Sequence, residues 1–490
     1  MIQTDHFVGG KRVKAFSQES YTSLNPSNNE AIATFFVGNA QDIDRAVQSA
    51  REAFDKGPWP RLPIKERIKI LLKFANIIRR ESDFLGTLES QDVGKLKEEC
   101  IRHDVARAAE NIAFFAKQME EWPEETFTGE GKFLGKPVKT RSDVKRLPVG
   151  VAGLIIPWNS PIMLGTWKIG PCIATGNTCI LKPPPWTSLS CLQLGELANE
   201  AGIPAGVINI LPGGPEAGEA LVRHPSVNRI SFTGSVPGGK VVAKANAETR
   251  LAPLSLELGG KSPAVVFADC DLDLTIKGVA RGIFRSQGQS CVAGSRLLLE
   301  QSIYNDFLER LILFAKKMKI GNPLEPSSEI GPLVSREHLQ RVEAYIQTGI
   351  QEGARLLTGG KRPNDPALSR GNFLEPTIFD QVKPTMKIFR EEIFGPVLVV
   401  LPFRSEEEAV QLANNSEFGL SSSVWTKDER KAMRVAEALE AGMVWINSHF
   451  VRDLRVPFGG VKNSGIGSEG GRYSLEFYTQ PKMICCTEEM

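Results

Sequence analysis

From Val149 onward the chain repeats one grammar: a short apolar run, a helical stretch, then another apolar run. The runs are VAGLII (151–156), TCILK (178–182), VINIL (207–211), RISF (229–232) and LSLEL (254–258). Between them lie helical segments from Leu189 to Glu200, near Ala217 to Val222, and from Gly238 to Ala247. Runs of this length without polar alternation predict strands covered on both faces, which means a parallel sheet with helices packed on it. A second α/β series starts at PAVVF (263–267) and continues through RLLLE (296–300), a long helix to Lys319 and VLVVLPF (397–403). The break near Gly259-Gly260 predicts a hinge between the two. Ahead of both series, Ile43, Val47, Ala50 and Phe54 share a face, and the stretches Ile64 to Arg80 and Val105 to Met119 keep helical spacing, so the first third is expected to be mostly helical. Between Trp122 and Arg146 the chain turns polar, with Gly and Pro, as an excursion out of the core would. The expected division is 1–124 with 147–259, then 260–470, with 125–146 and 471–490 set apart.

Composition excludes several classes of function. A length of 490 residues predicts two to four domains with sizeable cores. Lys and Arg total 59 against 57 Asp and Glu, a formal net charge of +2, so there is no basic surplus for nucleic-acid phosphates. The start, MIQTDHFVGGKRVKAF, has no apolar core of signal-peptide length. The most apolar stretch, Val149 to Leu181, is broken by Pro157, Asn159, Pro161 and Lys168, which argues against a membrane span. The eight cysteines are scattered without a C-x-x-C pair, as reduced thiols of a cytoplasmic protein are. The five histidines include no H-E-x-x-H, so no metal site is expected.

Two glycine patterns invite nucleotide readings. Gly465-x-Gly467-x-x-Gly470 matches a dinucleotide fingerprint but lacks a following strand–helix–strand unit, so a flexible turn is the better expectation. GSVPGGKV (234–241) is close to a phosphate-binding loop, but Val241 stands where a hydroxyl would hold Mg²⁺. It still follows a strand and opens a helix, where backbone N–H groups suit a pyrophosphate.

Three residues carry candidate chemistry. Cys291 lies in SQGQSCVAG (286–294), a small polar loop that leaves a thiol accessible, whereas Cys172, Cys179 and Cys191 sit in apolar runs and read as inert core. Glu257 interrupts an apolar strand; burial raises a carboxyl pKa toward that of a general base, although pairing with Lys261 is an equal alternative. Asn159 follows a strand in a Pro-bounded turn, a rigid place for an oxyanion donor and also a common place for a turn Asn.

PWNSP (157–161), LKP (181–183), FTGS (232–235), LELGGK (256–261), GQSC (288–291), EEIFGPV (391–397) and PFGGVKNSG (457–465) stand in the order found in aldehyde dehydrogenases. Over essentially its whole length the chain resembles that superfamily, nearest the branch acting on hydroxymuconic and aminomuconic semialdehydes. The resemblance implies an α/β fold: a Rossmann-type cofactor domain, an α/β catalytic domain, and a small β arm that makes a homodimer or homotetramer. It implies Cys291 as nucleophile, Glu257 as general base, and Asn159 as oxyanion donor together with the Cys291 backbone N–H. It implies NAD, with NADP left open: Lys182 and Trp158 by the adenosine, Gly234, Ser235 and Gly239 by the pyrophosphate, Glu392 and Phe394 by the nicotinamide ribose. Ile155, Ile156, Pro157, Pro185, Phe232, Leu258 and Gly259 complete the cofactor set, with Glu257 and Cys291. Pro185 departs from the pattern, because many NAD-preferring relatives carry there a Glu that binds the ribose hydroxyls.

The stretch NSHFVRDLRVPF (447–458) aligns with the family's substrate tunnel and carries two arginines. The substrates of the resembling branch bear a carboxylate remote from the aldehyde, which an arginine fork can bind bidentately. Arg452 is the first candidate and Arg107 its local partner, with Trp167 and Phe458 as apolar walls; Arg452 or Arg455 pairing with Asp453 is the structural alternative. Three rivals remain: a broad-specificity enzyme for aliphatic, aromatic or retinoid-like aldehydes, acyl transfer to coenzyme A, and a non-catalytic protein on the same scaffold.

Overall fold

The computed structural model describes residues 2–122 and 125–489. Five parallel strands form the centre of an eight-stranded sheet, in the spatial order Leu254–Glu257, Arg229–Thr233, Val151–Ile155, Thr178–Lys182, Ile208–Ile210. Numbered along the chain this order is 5-4-1-2-3, so the direction of winding reverses between Val151–Ile155 and Arg229–Thr233. In open α/β sheets the crevice at the carboxyl ends of such a strand pair is where ligands bind. Here those ends lead into Pro157-Trp158-Asn159 and Gly234-Ser235.

Alternation along each strand divides the core between the two faces. Leu154 and Leu181 pack with the helices Ile64–Arg80, Ala106–Gln118, Pro161–Ala174 and Leu189–Ala201. Ile155 and Ile180 pack with Ala40–Asp55, Pro215–Arg223 and Val236–Thr249. The helix expected from Ile64 to Arg80 has those bounds.

The expectation of a mostly helical first third needs correction at its beginning. Five short strands lie between Ile2 and Phe36, and two of them, His6–Val8 and Lys11–Val13, extend the large sheet at one edge. Three are only three residues long, too short for a period to register.

The second sheet has seven strands, all but the edge strand Arg355–Thr358 parallel, with Pro263–Val266 and Arg296–Glu300 at its centre. A third, antiparallel sheet combines Glu125–Phe133, Lys136–Pro148 and the last strand, Thr479–Glu489. The helix Gly471–Phe477 precedes that strand. Gly465 and Ile466 are not a flexible turn, as the glycine pattern suggested. They pair antiparallel with Leu256 and Glu257 and close the other edge of the first sheet. No helix among the described residues is long and apolar enough to cross a membrane.

Candidate active site

A cavity of about 650 Å³ opens between the two sheets and brings Asn159, Trp167, Glu257, Leu258, Cys291, Arg107, Arg452 and Phe458 onto one surface. They reach it from separate parts of the chain. Past the helix Leu272–Phe284 and its cap Arg285 come three consecutive left-handed residues, Ser286 (φ 50°), Gln287 (φ 56°) and Gly288 (φ 68°). Non-glycine residues in that region cost about 1–3 kcal/mol each and persist only when the surroundings hold them. The holding contact is close: a Cβ on residue 288 would lie 2.1 Å from the Gly395 carbonyl oxygen, so only glycine fits. This turn presents Cys291, which is part-buried on the cavity surface. Burial, together with the carboxylates of Glu392 and Glu257, pushes its thiol up to about 12. The resting sulfur therefore holds its proton, and a nearby base must take it before the thiolate can act.

Glu257 ends the strand Leu254–Glu257 and is 3% exposed. Among the described residues neither carboxylate oxygen has a hydrogen-bond partner, and the pairing with Lys261 considered from sequence is not made. Desolvation first, and the charge of Glu469 second, raise its pKa well above the ordinary carboxyl value. Glu469 itself is partnered: its Oε1 accepts from the Lys168 ammonium at 2.6 Å and from the Ser231 hydroxyl at 2.8 Å. Lys168 and Glu469 are 301 residues apart, and sequence reasoning singled out neither. The only trace was Lys168 interrupting an apolar helix, Pro161–Ala174.

Asn159 Nδ2 donates one hydrogen to the Gln289 carbonyl at 2.9 Å, two residues before Cys291, and keeps its second hydrogen. Gln289 is pinned in turn, its Oε1 accepting from the Val334 N–H at 2.9 Å.

The wall beside the thiol is Arg452 between two rings, its guanidinium carbon 4.6 Å from the Trp167 centroid and 4.1 Å from that of Phe458. It makes no ion pair among the described residues, and burial lowers its pKa only to about 10, so it stays charged. Each ring contributes about 0.5–2 kcal/mol to a cation held this way while leaving the N–H edge free. Arg455 behaves differently: it is exposed and forks onto Asp453 at 2.6 Å, outside the cavity. Arg107 lines the cavity next to Arg452 and has a 3.4 Å contact with Glu110.

The remaining expected residues gather at the crevice of the first sheet. Lys182 is buried, which lowers its pKa to about 8, and its ammonium donates to the Gly213 carbonyl at 2.5 Å. Ser235 caps the helix Val236–Thr249 by accepting from the Gly238 N–H, and Gly234 donates to the Glu257 carbonyl at 3.0 Å. Gly239 lies in the first turn of that helix, against Leu258. Phe232 is buried against Gly234 and Gly238, and Pro185 is buried. Ile155 and Ile156 are 5% and 3% exposed and serve mainly as core. Glu392 accepts from the Gly260 N–H at 3.0 Å, and burial lifts its pKa to about 7. Gly259 makes room for it, since a Cβ there would meet the carboxylate at 2.1 Å. Phe394 is left-handed (φ 61°) and packs edge-on against Trp158, with ring centroids 5.2 Å apart. His338, missed from sequence, bonds the Phe394 carbonyl at 2.7 Å and also packs on Trp158. No three His, Cys, Asp or Glu side chains converge as a metal site would require among the described residues.

Residues 13–484 match the aldehyde dehydrogenase family. The chain belongs to that family. It is 42% identical to betaine aldehyde dehydrogenase of Bacillus subtilis (strain 168) over 480 residues, covering 98% of this chain and 96% of the relative. It is also 42% identical to 2-hydroxymuconic semialdehyde dehydrogenase of Pseudomonas sp. (strain CF600) over 493 residues, 99% of each chain. The NAD+ complex of an aldehyde dehydrogenase from Bacillus cereus superposes with a TM-score of 0.94 at 39% identity, covering 99% of this chain and 96% of that one. An aldehyde dehydrogenase oxidises aldehydes, and the relatives at equal identity leave the substrate to the cavity itself.

Proposed function

We propose that this aldehyde dehydrogenase uses NAD to oxidise a carboxylated semialdehyde, of the 2-hydroxymuconate or 2-aminomuconate type, to the dicarboxylic acid. The observation that supports this reading is the charged, ring-clamped and unpaired Arg452 on the wall beside Cys291. A guanidinium in that state matches a carboxylate at the far end of the substrate, and Arg107 can supply a second contact. The same charge disfavours a cationic aldehyde such as betaine aldehyde, although that relative is equally similar overall.

The crevice fits the dinucleotide. It offers a buried ammonium at Lys182, a capped helix start at Ser235, and a buried carboxylate at Glu392 over a glycine floor. When bound, the nicotinamide supplies the hydride acceptor. The chain's own residues do the rest. Glu257, buried without a partner, takes the Cys291 proton, and the thiolate adds to the aldehyde carbon. The Asn159 amide and the Cys291 backbone N–H stabilise the resulting alkoxide. After the hydride departs the thioester remains; Glu257 releases the thiol's proton to solvent, then accepts one from water as hydroxide adds, and returns it to the departing thiolate as the acid leaves.

The antiparallel arm exposes Phe127, Phe133 and Met483, 59%, 62% and 64% accessible, a surface suited to a second copy of this chain in a homodimer or homotetramer.

The test is kcat/KM for 2-hydroxymuconate semialdehyde against that for an uncharged aldehyde of similar length, in the native enzyme and in Arg452→Gln. One charge-assisted contact is worth about 1.5–3 kcal/mol, a ratio of about ten to a hundred. A native ratio of that size that collapses in the variant supports the reading. A native ratio near one leaves a broad-specificity aldehyde dehydrogenase.

A further inference from the structure

The cavity mouth carries charges that neither the chemistry nor the carboxylate contact requires. The helix Leu272–Phe284 lays Leu274, Lys277, Gly278, Arg281 and Gly282 along the cavity, and Arg285 follows just after its end. These positions recur at intervals of three and four, so they form a single stripe. Within it, Lys277 and Arg281 stand one helical turn apart, about 6 Å along the axis. Both are exposed, and neither has an ion pair among the described residues. Arg285 is different, being tied to Glu99 at 3.1 Å. The opposite lip is the π-helical turn Cys100–Val105 and the start of Ala106–Gln118, which contribute Arg102, His103 and Arg107.

The two lips are close enough to act on one another. Burial and the charges of Arg285 and Arg281 together hold the His103 imidazole down to about 4, so it is neutral between the cations at neutral pH. The carboxylates facing the cavity do not cancel this. Asp104 is bound to Lys95, Glu110 answers Arg107, and Glu469 is bound to Lys168, while Glu257 lies at the floor. Charge of one sign along a concave entrance with low-dielectric walls focuses the field into it and raises the capture rate of oppositely charged ligands by about 10–1,000-fold.

We propose that Lys277 and Arg281 form an anion-capturing funnel that selects negatively charged aldehydes before Arg452 reads their carboxylate. The inference rests on the carboxylated-substrate reading and adds a second, kinetic stage of selection. Capture needs charge and not fork geometry, which is why a lysine serves here while the wall uses an arginine. A long-range contribution is also screened by salt, whose Debye length is about 10 Å at 0.1 M, whereas the ring-clamped contact is much less so.

The double variant Lys277→Gln/Arg281→Gln, with the charge-reversed Lys277→Glu/Arg281→Glu beside it, is assayed with 2-hydroxymuconate semialdehyde and with an uncharged aldehyde. Ionic strength runs from about 0.02 to 0.5 M, spanning Debye lengths on both sides of the mouth's dimensions. At low salt kcat/KM for the anionic aldehyde falls about tenfold in the neutralised variant and further in the reversed one. Its kcat holds, its salt dependence flattens, and the uncharged aldehyde keeps its kcat/KM at every salt. Equal losses on both aldehydes, or a native kcat/KM for the anion that ignores salt, overturn the funnel. A native preference for the anion that both variants retain in full overturns the funnel alone. No native preference at any salt overturns the carboxylate reading beneath it.

Discussion

Glu257 on the cavity floor is buried and Arg452 on its wall part-buried, and neither has an ion-pair partner among the described residues. The carboxylate meets no donor, so desolvation favours its neutral form and raises its pKa. The guanidinium meets two ring faces, which repay part of the lost hydration, and a group whose pKa begins so high stays charged after burial. The floor thus gains a proton acceptor and the wall gains a fixed positive charge. Glu469 sharpens the point: a neighbouring buried carboxylate, given Lys168 and Ser231, becomes a structural member instead of a base.

The floor should be the harder of the two to alter. Cys291→Ala removes the atom that bonds to substrate, and we expect oxidation to fall by at least about 10³-fold with the circular dichroism unchanged. Residual turnover above that level would break the assignment. Glu257→Gln should cost about 10²–10⁴ in steady-state rate. Rapid mixing separates its roles: a surviving burst of reduced cofactor would confine Glu257 to hydrolysis, and a lost burst would show that it also activates the thiol.

The same contrast predicts opposite signs with pH. Glu257 accepts protons only when ionised, so kcat should climb as pH rises through its raised pKa, and Glu257→Gln should flatten that climb. For stability, a carboxyl whose folded pKa lies above its unfolded value contributes below the unfolded pKa, and that contribution is lost as pH rises through the folded one. Glu257→Gln should therefore raise Tm more at pH 8 than at pH 5, as scanning calorimetry would show. A larger gain at pH 5 would contradict the burial argument. At the wall, Arg455→Gln is the control for Arg452: its pair with Asp453 is exposed and screened by solvent, and kcat/KM for the anionic aldehyde should stay within about twofold.

Apolar runs and helical spacing made the first sheet legible, because its strands are covered on both faces and cannot tolerate polar alternation. Cys291 and Glu257 were legible for a related reason: each breaks the local rule, a thiol in a polar loop and a carboxylate in an apolar strand. Of the two arginines of VRDLR the sequence placed Arg452 ahead of Arg455, but they sit three residues apart on an irregular loop with no period to assign faces, so either could have been the one paired with Asp453. The Lys168–Glu469 pair was invisible because its members are joined only by the docking of the C-terminal segment. Three of the five N-terminal strands were too short to carry a period; two of those pair with strands distant in the chain, and the third forms a hairpin with its neighbour.

The most direct test of the carboxylate reading is a crystal structure of Cys291→Ala with NAD and 2-hydroxymuconate semialdehyde bound. The substrate carboxylate should lie about 2.7–2.9 Å from the Arg452 guanidinium nitrogens, in the plane left free between Trp167 and Phe458, with the aldehyde over residue 291. A carboxylate pointing to solvent, with Arg452 untouched or turned onto a protein carboxylate, would contradict it.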